Sequence, residues 1–198
     1  MPEPMLKSRS ALAGFLTPGH YGADGVAGVT LSECRGLTLI SIAARAGQAA
    51  ELSAAVAHEF GATLPMQPAR TASGSVAFLW SGPDFWLALG SSTDDLARRL
   101  ADVAGSRANI TDLTGSRTII RISGTRARYG MMKVVPIDLA ESVFAPGSTA
   151  LTIAFHIPVQ LWQVDDTPTY EIACPRSYAV SLCHHLMAAF AEYGYRVA

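Results

Sequence analysis

Charged side chains are scarce in this sequence: Asp, Glu, Lys and Arg make up 16% of it, against about 25% in a typical soluble domain. Fifteen basic and sixteen acidic residues nearly cancel. With no basic stripe, RNP-like aromatic motif or zinc-finger spacing, nucleic acid is excluded as a partner. Cysteine is sparse too. Cys34, Cys174 and Cys183 share no close pairing spacing and are odd in number, so they read as reduced thiols of a cytoplasmic protein. No apolar run reaches the roughly 20 residues of a membrane-spanning helix; the longest, residues 149–162, is broken by His156 and Pro158. The opening MPEPMLKSRS lacks the apolar run of a secretory signal. No G-x-G-x-x-G leads from a strand into a helix. There is also no phosphate loop ending in Gly-Lys-Ser/Thr and no G-x-S-x-G nucleophile turn.

What remains is apolar: 49% of the 198 residues. A chain of this length builds its own core without staples. A surplus of apolar surface over charge fits a second layer of burial, against a partner. Residues 1–30 carry Pro2, Pro4, Pro18 and glycines 14, 19, 22, 25 and 28 without any period, and read as an extended arm. Residues 31–198 read as one domain. LTLISIAAR, from Leu37, has strand alternation. Leu52, Val56 and Phe60 then form a helical stripe stopped by Gly61. Two strands meet at Gly82-Pro83-Asp84. A helix is predicted from Ser92, with Asp94 and Asp95 in its first turn pairing with Arg98 and Arg99, and Leu96, Leu100 and Val103 buried.

The order then recurs. TLISIAARAGQ at 38–48 lies over TIIRISGTRAR at 118–128, Trp80 over Trp162, and Trp86 over Tyr170. Each half, about 37–110 and 117–198, reads strand, helix, two strands, helix. That is the order of a ferredoxin-like unit in tandem. The expected class is α+β, with mainly antiparallel sheets and helices on one face of each.

Candidate chemistry is thin. Cys174 to Gly194 holds two cysteines and two histidines, but its wheel puts Cys183 at the centre of an apolar face, His184 at the boundary and His185 outward. Chelation on a helix needs residues three or four apart, so consecutive Cys183, His184 and His185 cannot converge on one ion. His20, His58 and His156 share no spacing. Asp112 with Arg117 and Arg121 either anchors an anion or forms a strand and turn. Asp165 and Asp166 precede Thr167-Pro168 and read as a turn. No catalytic, cofactor-binding or metal residue is assigned. The loop 135–150 offers Ile137, Leu139, Phe144 and Pro146 as a partner contact, with internal packing of that loop as the alternative.

Four segments carry a family resemblance: WSGPDFWLALG (80–90), RTIIRISGTRAR (117–128), PIDLAESVFAPGSTA (136–150) and PVQLWQVDDTPTYEIACPRSYAVSLCHHL (158–186). Together they resemble the gamma subunit of heterotetrameric sarcosine oxidase, from about Leu37 to the last residue. The resemblance implies a noncatalytic chain with a fold like the folate-binding domain of aminomethyltransferase. It implies a complex that demethylates sarcosine oxidatively to glycine, yielding hydrogen peroxide and formaldehyde or methylene-tetrahydrofolate. It places FAD, FMN, NAD, tetrahydrofolate and zinc in the alpha, beta and delta subunits, with alpha as the main contact and none of these groups in this chain. Two alternatives stay open. One is the gamma chain of a related N-methyl amino acid dehydrogenase complex. The other is a free-standing folate-binding domain for one-carbon transfer, using Asp112; the absence of a K-G-C-Y-x-G-Q segment counts against that reading. A metal module through His184 and His185 is a weaker third.

Overall fold

The structure is a computed structural model that describes residues 9–198. Its strands are β1 (Gly19–Tyr21), β2 (Val29–Cys34), β3 (Leu37–Ala44), β4 (Arg70–Ser73), β5 (Val76–Trp80), β6 (Phe85–Ser91), β7 (Ala108–Asp112), β8 (Arg117–Ser123), β9 (Thr149–Ala154), β10 (Ile157–Asp165), β11 (Thr169–Pro175) and β12 (Tyr195–Val197). The α-helices are α1 (Ala49–Phe60), α2 (Leu96–Ala104), α3 (Ala127–Met131) and α4 (Ala179–Phe190). They form two sheets, ordered β4-β5-β6-β3-β7 and β1-β12-β2-β8-β11-β10-β9.

The tandem repeat is visible in those orders. In the first half β3-α1-β5-β6-α2-β7 gives the sheet order β5-β6-β3-β7, the ferredoxin-like arrangement, with β4 added beside β5. In the second half β8, α3, β10, β11, α4 and β12 repeat it, with β9 added beside β10. One strand breaks the symmetry: β2 lies between β8 and β12, antiparallel to the first and parallel to the second.

Period-two alternation assigns the faces. Ile40, Ile42, Phe78, Trp86 and Ala88 face α1 and α2, where Leu52, Val56, Phe60, Leu96 and Leu100 meet them. Leu31, Ile120, Ile122, Leu161, Tyr170 and Ile172 face α4, which supplies Leu182, Cys183, Leu186 and Phe190. The intervening residues form a third cluster: Leu39, Ala77, Leu79, Leu87 and Leu89 of the first sheet against Ile119, Trp162 and Ala173 of the second. The two sheets therefore pack face to face, with helices outside both. Each fully buried Leu or Ile contributes about 1.5–3 kcal/mol of transfer free energy.

Three expectations change. The extended arm does not persist to residue 30: Leu12 is fully buried, β1 pairs with β12, Tyr21 stacks on Tyr195 at 5.4 Å, and β2 enters the sheet. Residues 1–8 of that arm lie outside the described residues. The second helix begins at Leu96, not Ser92, because Ser91 and Thr93 close a turn by their hydroxyls and Asp94 accepts from Ser75. Asp95, at φ 46°, pairs with Arg98, whereas Arg99 reaches Glu59 on α1. Trp80 and Trp162 are not equivalent. Trp80 pairs with Trp86 on the helix side, and Trp162 points between the sheets. Trp86 and Tyr170 do occupy matching helix-facing positions.

Candidate functional site

The space between the sheets is apolar in its middle and changes character at its ends. At one end, β8 and β11 bring Arg121 opposite Glu171, and β10 brings Trp162 opposite Glu171 on the other side. Glu171 is only 6% exposed. It accepts from Arg121 Nε at 2.9 Å and from Arg121 Nη2, from Trp162 Nε1 at 2.7 Å, and from the Cys34 thiol at 3.6 Å. A charged, buried acceptor holding several donors fixes the spacing of three strands. Burial, with the Glu171 charge beside it, pushes the Cys34 thiol up to about 12, so it is neither a nucleophile nor a metal-ready thiolate at neutral pH.

At the opposite end the space between the sheets opens into a groove. Phe85, Leu151 and Pro158 line a groove of about 320 Å3, and Ile153 continues its wall. Leu151 is 52% exposed, Ile153 46% and Phe85 50%. Leu151 and Ile153 sit on β9, the edge strand of the larger sheet. Gln160 ties the groove floor to the β5–β6 hairpin by donating to the Trp80 carbonyl at 3.0 Å. An apolar wall on a sheet edge is an unfinished surface.

The other sequence candidates do not converge. Asp112 accepts from the Thr114 hydroxyl and, at 2.8 Å, from its backbone N–H, and this Asx turn holds its carboxyl below the usual range. Arg121 is committed to Glu171, and Arg117 stands at the far end of β8. Partial burial is the largest influence on Asp165 and would raise it, but hydrogen bonds from Thr167 and Thr169 together outweigh it and lower the carboxyl, again as a turn. His184 and His185 are both exposed, with rings 6.2 Å apart and nearly perpendicular. His185 packs on Phe155 at 4.5 Å, with its Nδ1 against the Ser181 carbonyl. Among the described residues no group of three or more His, Cys, Asp or Glu is placed to hold a metal ion.

The loop expected to meet a partner is partly a core element. Leu139 is fully buried and Phe144 is 6% exposed, stacked 6.4 Å from Tyr170, so neither presents a side chain outward. Ile137 is partly buried against the same cluster, and Pro146 is exposed. Arg128 anchors the loop by donating to the Leu139 carbonyl. Internal packing wins because the short α3 leaves the sheet uncovered there, and these residues fill it.

The profile of the sarcosine oxidase, gamma subunit family matches residues 45–192. This chain belongs to that family. The sarcosine oxidase subunit gamma of an Arthrobacter species is 31% identical over 169 residues, covering 83% of this chain and 81% of its own. That of Corynebacterium sp. (strain P-1) is 33% identical over 145 residues, covering 71% and 70%. Among solved structures, heterotetrameric sarcosine oxidase from Corynebacterium sp. U-96 contains a chain matched with a TM-score of 0.83, at 27% identity, over 94% of this chain and 96% of that one. Aminomethyltransferase T of the glycine cleavage system from Bartonella henselae shares the fold, with a TM-score of 0.63 at 12% identity, over 87% of this chain and 48% of that one.

For a gamma-subunit family member, the four resemblance segments have structural roles. Residues 80–90 and 158–186 frame the groove, 117–128 carries Arg121, and 136–150 is the packed loop. Glu171 escaped the sequence reading. The signal was present: a single carboxylate in the apolar run TYEIAC, in phase with Trp162 and Arg121 once the strands pair.

Proposed function

We propose that this chain is the noncatalytic gamma subunit of a heterotetrameric sarcosine oxidase, where it covers and stabilises the alpha subunit. The observation that carries this reading is the match along nearly the whole chain, 94% of it, to a chain of such an assembly. The site geometry supports it. The dense polar cluster around Glu171 is a satisfied structural network, and the groove is a mostly apolar surface of the kind a subunit interface uses. The enzyme's chemistry is oxidative demethylation of sarcosine to glycine, with hydrogen peroxide and formaldehyde or methylene-tetrahydrofolate as the other products. FAD, FMN, NAD, tetrahydrofolate and zinc belong to the alpha, beta and delta subunits, and the complex is cytoplasmic. None of the described helices is long and apolar enough to cross a membrane.

Of the four contacts anticipated from sequence, Pro146 and the outer edge of Ile137 remain available to the partner, while Leu139 and Phe144 support them from below. Residues 31–198 act as one unit, because the cluster between the sheets joins both halves. An obligate contact of this kind buries more than about 2,000 Å2. The test is affinity capture of the tagged chain from its native host, with flavin absorbance read on the eluate. Co-elution with large flavin-bearing chains that turn over sarcosine is expected; capture without flavin defeats the proposal. Turnover of another N-methyl amino acid instead would assign the chain to a related dehydrogenase complex.

A further inference from the structure

The polar end of the inter-sheet space contains more cation than its own carboxylates use. A cleft of about 410 Å3 opens there, lined among others by Arg35, Arg70, Arg121, Glu33 and Glu171, over an apolar floor that includes Leu89. The two carboxylates are already engaged. Glu171 holds Arg121, Trp162 and Cys34, and Glu33 accepts from Ser10 and from Arg35 at 3.0 Å. Arg70 is different. It lies on the inner face of edge strand β4, opposite Leu79. Its Nε is occluded from solvent and has no hydrogen-bond partner, and its guanidinium takes part in no ion pair among the described residues. An occluded guanidinium N–H without an acceptor is a costly arrangement in a folded chain.

We propose that this cleft binds a small organic carboxylate, held by the Arg70 guanidinium, with Arg121 and Arg35 on the opposite wall. Three arginines face two carboxylates in the lining, leaving one positive charge. A guanidinium fork matches the two oxygens of a carboxylate in one plane, and the apolar floor suits a hydrocarbon body better than a fully hydrated phosphate. Glu171, itself fixed by the Trp162 indole, holds Arg121 in place before any ligand arrives, so its ordering cost is met in advance. The neutral Cys34 thiol adds no competing negative charge.

The test is titration calorimetry on the full chain at fixed ionic strength, with succinate, inorganic phosphate and neutral succinamide as probes. Saturable binding of succinate is expected, weaker binding of phosphate, and none of succinamide. Arg70→Gln should weaken succinate binding about 10- to 100-fold, as loss of a charged hydrogen bond does. Arg70→Lys, which keeps the charge without the fork, should fall between. Arg98→Gln, on the surface of α2 and outside the cleft, should leave binding unchanged. Circular dichroism identical to that of the parent chain certifies each variant as folded. Absence of saturable succinate binding overturns the proposal. So does an unchanged affinity in folded Arg70→Gln, or tighter binding of phosphate than of succinate.

Discussion

Replacing Glu171 by Ala removes the acceptor at the centre of the polar network on the inner face of the larger sheet. Its side chain is 8% exposed, and it takes the indole N–H of fully buried Trp162 at 2.7 Å. Leaving that N–H dry and unpaired costs about 1–3 kcal/mol. Arg121 keeps 49% of its side chain exposed, so it rehydrates when its partner goes, and the ion pair itself adds little. The removed methylenes leave a small void against Trp162, worth about 1 kcal/mol. The sum is about 3 kcal/mol, which for a chain of this size lowers Tm by about 6–12 °C. Differential scanning of the purified chain reads this directly. Glu171→Gln, which keeps an acceptor for the indole, should lose less than half as much. Glu51→Ala, an exposed substitution in the first turn of α1, serves as the control. A Glu171→Ala midpoint within 2 °C of that control, a tolerance of about 1 kcal/mol, refutes the view that this carboxylate ties together the strands of the larger sheet.

Other consequences are as direct. Gly130→Ala puts a Cβ 2.4 Å from the ring of buried Phe190, between α3 and α4, and overpacking of this kind should cost about 1–3 kcal/mol in urea titration. Leu151→Asp and Ile153→Asp charge an exposed edge, so the isolated chain should keep its Tm while co-elution with flavin-bearing chains falls at least about tenfold. Burial pushes the Cys174 thiol up to about 11 and that of Cys183 to about 12, above the ordinary value near 9.0. The folded state therefore holds these protons more tightly. Its stability is fully present below about pH 9 and falls as pH rises toward 11 to 12, with a matching resistance of both thiols to a disulfide reagent until the chain unfolds.

Local pattern reported what local physics decides. The stripe Leu52, Val56, Phe60 and the stop at Gly61, where φ is 70° and the N–H bonds back to the Ala57 carbonyl, were readable because a helix needs only its own neighbours. The tandem order was readable for the same reason. The entry segment was not. β1 has three residues and β2 six, and both are strands only because β12 and β8, far along the sequence, supply their partners. The pairing of Trp80 with Trp162 failed by a single position, which in a strand moves a side chain to the other face. Leu139 and Phe144 looked like surface anchors in a Pro-rich loop. Their burial follows from α3 spanning only five residues, which nothing in the loop itself announces.

The same duplication that makes the fold readable also explains where its two unusual ends arise. Two ferredoxin-like sheets packed on their inner faces cross at an angle, since each sheet is twisted. Side chains fill the middle of such a pair, and here Leu39, Leu79, Leu87, Leu89, Ile119 and Trp162 do so. Toward the ends the sheets diverge and a single layer of side chains no longer spans the gap. One end is lined by long polar groups, the Arg121–Glu171 pair on the larger sheet and Arg70 on the smaller. The other is left open and mostly apolar, with Phe85 and Leu151 facing the solvent between the sheet edges and Arg117 the one charged residue in its lining. Retaining a greasy opening beside an unpaired edge strand makes sense when another chain fills it, which ties the subunit role to the geometry of the sandwich itself.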